Sequence, residues 1–266
     1  MIELFEQQIV TPQRHSSKGN QLKWKSEDYW YKADYSGYEG LAEYMVSQLI
    51  KHSNLKPEEV VVYELEQIRY KNRTFNGVKS KDMLEGNWQI ITLERLFKNN
   101  FNTSLYQSVW KIHDVRERIE FLCQQVKRIT GISDFGIYLT KLLEIDAVFK
   151  NEDRHMHNIA VLMNSAGEYK LCPIFDNGAS LLSDTTLDYP LTGDIYTLMD
   201  QVKSKTVSEN FDEQMDAAEE LFGECIHFNF TKRDVDKLLE GACIYSPEII
   251  ERVRTVLYQQ IRKYGI

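Results

Sequence analysis

Hydrophobic and polar positions alternate with a period near two in short runs over the first hundred residues, and recur every three to four positions over most of the remainder. Residues 21–24, 29–33, 60–63 and 77–79 read as strands. Between them, residues 38–50 place Leu41, Met45 and Leu49 four apart, flanked by Ala42, Val46 and Ile50, which predicts one helix with a buried face. From Asp114 the pattern turns helical. Asp114 is the expected N-cap, Ile119, Leu122, Val126 and Ile129 form the apolar stripe, and Gly131 is the stop. A second helix is predicted over 134–148, and further helices over 194–202, 209–223, 231–241 and 247–264.

One stretch departs from this pattern. Residues 159–163, a turn over 164–167 and residues 169–172 read as a short hairpin, an isolated β insertion among helices. The pattern predicts an α+β chain with a small β-rich part over residues 1–100 and a mainly helical part over 101–266.

Composition narrows the function. At 266 residues, 42% of them hydrophobic, the chain can bury a sizeable core. A net charge of -8 argues against direct nucleic-acid binding, which normally shows a basic excess on one face. No run approaches the roughly 20 apolar residues needed to span a bilayer, so the expectation is no membrane and a cytoplasmic protein. Cys123, Cys172, Cys225 and Cys243 form no C-x-x-C pair, which indicates neither a zinc site nor a disulfide framework.

The polar run 151–158, NEDRHMHN, lies between the apolar segments LLEIDAVF and IAVL and reads as a functional loop held by two buried elements. Asp153 precedes Asn158 by five positions, the separation of the catalytic Asp and metal-binding Asn in the protein-kinase catalytic loop. Eighteen residues on stands Asp176, in PIFDNG. A hairpin brings its strand ends together, so Asn158 and Asp176 are expected side by side as two hard oxygen ligands for magnesium. His155 is expected to brace the loop. A rival reading takes Asp153, His155 and His157 as a D-x-H-x-H metal set for zinc or iron, as in a hydrolase or oxygenase.

The first half supplies candidates for holding a triphosphate. In SSKGNQLKW, Ser16, Ser17, Gly19 and Asn20 are turn formers and Lys18 and Lys23 add positive charge, although such runs also make plain hairpin turns. In YWYKAD, Lys32 interrupts an aromatic strand and shares a face with Trp30; Glu43, or alternatively Glu39, on the following helix could pair with it and orient it toward phosphates.

These stretches resemble the HipA-like Ser/Thr kinases, in particular the short form lacking the N-terminal partner-binding subdomain. The resemblance runs through Gly19, Gln21 and Lys23 in a G-x-Q-x-K arrangement, WYKAD, EGLAEYMVSQLI, NEDRHMHNIAVL and PIFDNGASL, over about residues 16–182. It implies a two-lobed atypical protein-kinase-like fold, a β-rich N-lobe over 1–100 as phosphate clamp and a helical C-lobe over 101–266. Asp153 would be the catalytic base with His155 and Asn158 beside it, and Asn158 and Asp176 would hold Mg2+. ATP would be bound by Ser17, Lys18, Gly19, Asn20, Gln21, Lys23, Lys32 and Glu43, with the adenine hinge near Val78 and Ser80. Ser16 or Ser17 occupies the position that family members autophosphorylate. A protein acceptor is implied. The chain begins close to the phosphate loop, which argues against an antitoxin partner. A kinase of a lipid or small molecule, or a nucleotide-binding pseudokinase, would share the same carboxylates.

Overall fold

The structure is a computed structural model and describes residues 1–10 and 21–266. In chain order its elements are β1 (Ile2–Glu3), β2 (Lys23–Ser26), β3 (Tyr29–Ala33), α1 (Glu39–Ile50), β4 (Tyr63–Tyr70), β5 (Arg73–Lys81), β6 (Gln89–Thr92), α2 (Leu93–Phe101), α3 (Leu105–Trp110), α4 (Val115–Thr130), α5 (Phe135–Phe149), β7 (Ala160–Met163), β8 (Tyr169–Leu171), α6 (Ile195–Gln201), α7 (Phe211–Phe222), α8 (Lys232–Glu240) and α9 (Pro247–Tyr264). Two compact units share them: one comprises Met1–Met83, Phe175–Val202 and Phe228–Ile266, the other Leu84–Ile174 and Lys203–His227. Among the described residues no helix is long and apolar enough to cross a membrane.

In the first unit five strands pair in the order β1-β4-β5-β3-β2, antiparallel except for the parallel β1–β4 pair. Successive side chains of a strand point to opposite faces, so the register sorts this sheet cleanly. Trp24, Tyr31, Ala33 and Ile68 fall on one face and pack with Leu4 as a small core. Lys23 and Lys32 sit directly opposite one another on the other face, as do Lys32, Val78 and Leu65 across three strands. Helix α1 packs against β3, β4 and β5. Its approach is close because Gly40 and Gly77 carry no side chain: a Cβ on Gly40 would lie 2.8 Å from the Gly77 Cα. Asp34, at the end of β3, accepts the Gly40 N–H at 2.6 Å and the Tyr245 hydroxyl at 2.9 Å, fixing where the helix starts.

In the second unit the long helices α4 and α5 both pack on α7. Asp114 caps α4 by accepting the Glu117 N–H, and Gly131 ends it at φ 76°. The expected hairpin forms as β7 and β8, with Val161 opposite Leu171 and Met163 opposite Tyr169. It is not isolated. Strand β6, which the sequence pattern did not indicate, pairs antiparallel with β7 and makes a three-stranded sheet, so Val161 and Leu162 are buried within a sheet. The β6 run QIIT is only four residues long and leads straight into α2, too short for period two to show.

Candidate active site

The candidate residues form two clusters, one in each unit. In the first unit Lys32 is held by the sheet while Glu43 comes from the second turn of α1. The Lys32 Nζ lies 2.5 Å from Glu43 Oε1 and 2.8 Å from Asp176 Oδ1. It also sits 5.0 Å from the centre of the Tyr63 ring, with the Tyr63 hydroxyl at 3.3 Å. Burial works against the Lys32 charge, but Asp176 and Glu43 outweigh it and hold the ammonium well above its ordinary value. Burial likewise pushes the Tyr63 hydroxyl up, so it stays protonated as a donor. Glu43 does a second job: its Oε2 accepts the Asn177 backbone N–H at 2.8 Å, tying α1 to the residue after Asp176. Asp176 itself adopts φ 61°, the left-handed region, which costs a non-glycine residue about 1 kcal/mol or more.

Glu39, the alternative partner, is committed elsewhere: its carboxylate accepts the Ser36 N–H at 2.7 Å and the Tyr35 and Gly37 N–H groups. Lys32 therefore pairs with Glu43. Lys23 stands directly opposite Lys32, a like-charge pair that is unfavourable by itself. Asp176 pulls the Lys23 ammonium up, yet burial and Lys32 outweigh it and leave Lys23 below its ordinary value. Two neighbouring ammonium groups on one sheet face, with a carboxylate beside them, suit a phosphate chain and its metal ion.

In the second unit the loop 151–158 leaves α5 through Lys150 at φ 55° and is clamped from below by a buried pair. The guanidinium of Arg154 contacts both oxygens of Asp146 at 3.1 to 3.2 Å, with Asp146 fully buried and Arg154 1% exposed. Arg154 also donates to the Asn158 carbonyl, and the first amides of α2 donate to the carbonyls of Met156 and Ile159. The loop is thus set at both ends. Its Asn158 Nδ2 donates to the Asp153 carbonyl at 2.8 Å, which fixes the amide so that Oδ1, given no donor among the described residues, is the atom offered as a hard ligand.

Asp153 is 8% exposed, and its carboxylate lies 3.4 Å from Asn158 Nδ2, 3.5 Å from Lys205 Nζ and 3.8 Å from His155 Nε2. The His155 Nδ1 accepts the His157 N–H at 3.2 Å, so His155 braces the turn. Burial pushes its imidazole below the ordinary value, against the pull of Asp153, and keeps it neutral near pH 7. The D-x-H-x-H metal set does not form: among the described residues no three His, Cys, Asp or Glu side chains are grouped to hold a metal ion.

Of the remaining expected residues, Ser16, Ser17, Lys18, Gly19 and Asn20 lie outside the described residues. Gln21 is half-buried just ahead of β2. Val78 and Ser80 sit inside β5 with strands on both sides, so the sheet consumes their backbone groups and leaves none to bind adenine as a hinge would. Sequence reasoning missed Lys205, Tyr63 and the Asp146–Arg154 pair. Asp146 lies in a mostly apolar helix run, where an acidic residue that must be buried signals a partner. Lys205 has no such signal.

No family model and no curated protein matches the sequence. The structure is similar to that of the Helicobacter pylori proinflammatory kinase CtkA, with a TM-score of 0.65 at 16% identity, covering 98% of this chain and 95% of that one. A second similar structure is HipA of Shewanella oneidensis MR-1, in its complex with HipB and operator DNA, with a TM-score of 0.48 at 12% identity over 91% of this chain and 59% of that one. The chain has the α+β fold of a kinase.

Proposed function

We propose that the chain is an ATP- and magnesium-dependent Ser/Thr protein kinase. One observation carries the reading: a single lysine, Lys32, is gripped by a helix glutamate and by the Asp of D-N-G on a sheet face that also presents Lys23. That is the arrangement needed to orient α- and β-phosphates. In this reading residues 1–100 serve as the phosphate clamp, with Ser17, Lys18, Gly19, Asn20, Gln21 and Lys23 along the phosphates, and residues 101–266 carry the catalytic loop.

Asn158 and Asp176 would hold magnesium, whose chemistry is to neutralise charge on the phosphates. Asp153 accepts the proton of the acceptor hydroxyl. The acceptor oxygen forms a bond to the γ-phosphorus, the bond from that phosphorus to the β–γ bridging oxygen breaks, and its electron pair leaves with ADP. Tyr63 and Glu43 hold Lys32 in place. The acceptor is a protein hydroxyl, with Ser16 or Ser17 as an internal one, and the setting is the cytoplasm.

Incubation with radiolabelled ATP and magnesium tests this. Label is expected on the chain itself or on an added protein, absent with Asp153→Asn or Asp176→Ala. Label on a lipid or metabolite alone would make the chain a small-molecule kinase, and nucleotide binding with no turnover a pseudokinase. A native chain that neither binds nor consumes ATP refutes the reading outright.

A further inference from the structure

Lys205 lies in a short segment between α6 and α7 that is pinned on every side but one. Ser204 is buried and donates to the Gln214 side chain at 3.0 Å. Thr206 is fully buried and its hydroxyl donates to the Arg154 carbonyl, in the catalytic loop itself, at 2.5 Å. The Val207 carbonyl accepts the Arg118 guanidinium at 2.7 Å. Between the buried Ser204 and Thr206, Lys205 points outward, its side chain 46% exposed, and brings its ammonium to 3.5 Å from the Asp153 carboxylate.

Stability does not account for this placement. A half-exposed pair at 3.5 Å contributes little to stability, and the segment is already fixed by bonds that do not involve the ammonium. The transferred phosphoryl group, in contrast, spreads negative charge over its three equatorial oxygens while the acceptor hydroxyl sits within reach of Asp153. A cation is needed there. His155 Nε2 lies 3.8 Å from Asp153, but that ring is engaged through Nδ1 with the His157 N–H as a brace.

We infer that Lys205 is a catalytic residue, contacting the phosphoryl group as it passes to the acceptor oxygen held at Asp153. The assignment rests on the proposed role of Asp153 as base. Lys205 takes no part in the bond changes: the proton still goes to Asp153 and the electron pair to ADP. Its role is to meet the equatorial oxygens as the phosphoryl group moves.

The test compares native chain with Lys205→Ala, Lys205→Arg and, as control, Lys203→Ala, whose ammonium is paired with Glu209 at 2.5 Å on the surface. Lys205→Ala is expected to lower kcat about 10²-fold with KM for ATP changed less than about 3-fold, Lys205→Arg to recover part of the rate, and Lys203→Ala to match native. The second readout is thermal shift. ADP with aluminium fluoride and magnesium, which mimics the phosphoryl in flight, should stabilise native chain beyond ADP alone, and Lys205→Ala should lose that extra shift while keeping the ADP shift. Native activity with an unimpaired Lys205→Ala, or loss of the ADP shift together with the extra one, overturns the assignment of Lys205 alone. A native chain that neither transfers phosphate nor responds to nucleotide overturns the kinase reading and this inference with it.

Discussion

Glu43 grips Lys32 through one carboxylate oxygen at 2.5 Å and the Asn177 backbone through the other at 2.8 Å, so one side chain sets both the lysine and the turn that carries Asp176. Glu43→Gln keeps an acceptor but loses the charge that steers the ammonium. Misplacement of a phosphate-binding group by about 1 Å costs roughly 10²-fold in rate. The variant should therefore lose about 10- to 100-fold in phosphate transfer at saturating ATP, while its circular dichroism matches native. A rate within 3-fold of native would mean that Asp176 alone positions Lys32.

The position of Glu43 depends in turn on the closeness of α1 to β5. Gly40→Ala brings a Cβ to 2.8 Å from the Gly77 Cα and 2.9 Å from its carbonyl carbon, both backbone atoms that cannot swing away. Alanine favours a helix by about 1 kcal/mol over glycine, but overpacking costs about 1–3 kcal/mol, and the clash should win. Urea unfolding should show a net loss of up to about 2 kcal/mol. A stabilised variant would show that the helix can simply lift off the sheet.

Beneath the loop 151–158, Asp146 and Arg154 are both almost fully buried, and desolvation of such a pair nearly cancels its attraction. Removing one partner is different, because it strands the other. Arg154→Met should destabilise by about 3–5 kcal/mol, and the double variant Asp146→Asn, Arg154→Met by less than the single one. Additive losses in denaturant titrations would argue against a coupled pair.

Local rules were legible in the sequence where a few residues decide the outcome. Asp114 and Gly131 bound α4 because a cap and a left-handed stop act within one turn, and the β7–β8 hairpin followed from alternation around a four-residue turn. The pairing of Lys32 with Glu43 was legible as one of two options; only the capping of the 35–37 turn by Glu39 separates them. What was hidden is long-range. Strand β6 exists because β7 needs a partner, and Lys205 reaches Asp153 because Thr206 binds the Arg154 carbonyl 52 positions away. Neither partnership leaves a periodic trace. The hinge reading near Val78 and Ser80 falls on the central strand β5, which a short strand pattern does not tell from the segment that follows it.

Glu144 gives the chain a pH-dependent stability that one variant can isolate. Its carboxylate is 3% exposed, accepts the Cys225 N–H at 2.7 Å through Oε1, and leaves Oε2 without a hydrogen-bond partner among the described residues. Burial, with the like charges of Glu219 and Glu224 behind it, pushes the carboxyl from 4.5 up to about 8. The folded state thus holds this proton more tightly than the unfolded state, so the group's contribution to stability is complete below pH 4.5 and is lost as pH rises through about 8. At pH 9 the cost is on the order of 3–5 kcal/mol. Glu144→Gln keeps the Oε1 acceptor and cannot ionise. The thermal midpoint of native chain should fall relative to that variant between about pH 6 and about pH 9, with the two curves converging toward acid. Asp34, raised to about 7, pulls in the same direction in both proteins and cancels from the difference. Parallel curves across the range would show that Glu144 is already solvated as a carboxylate.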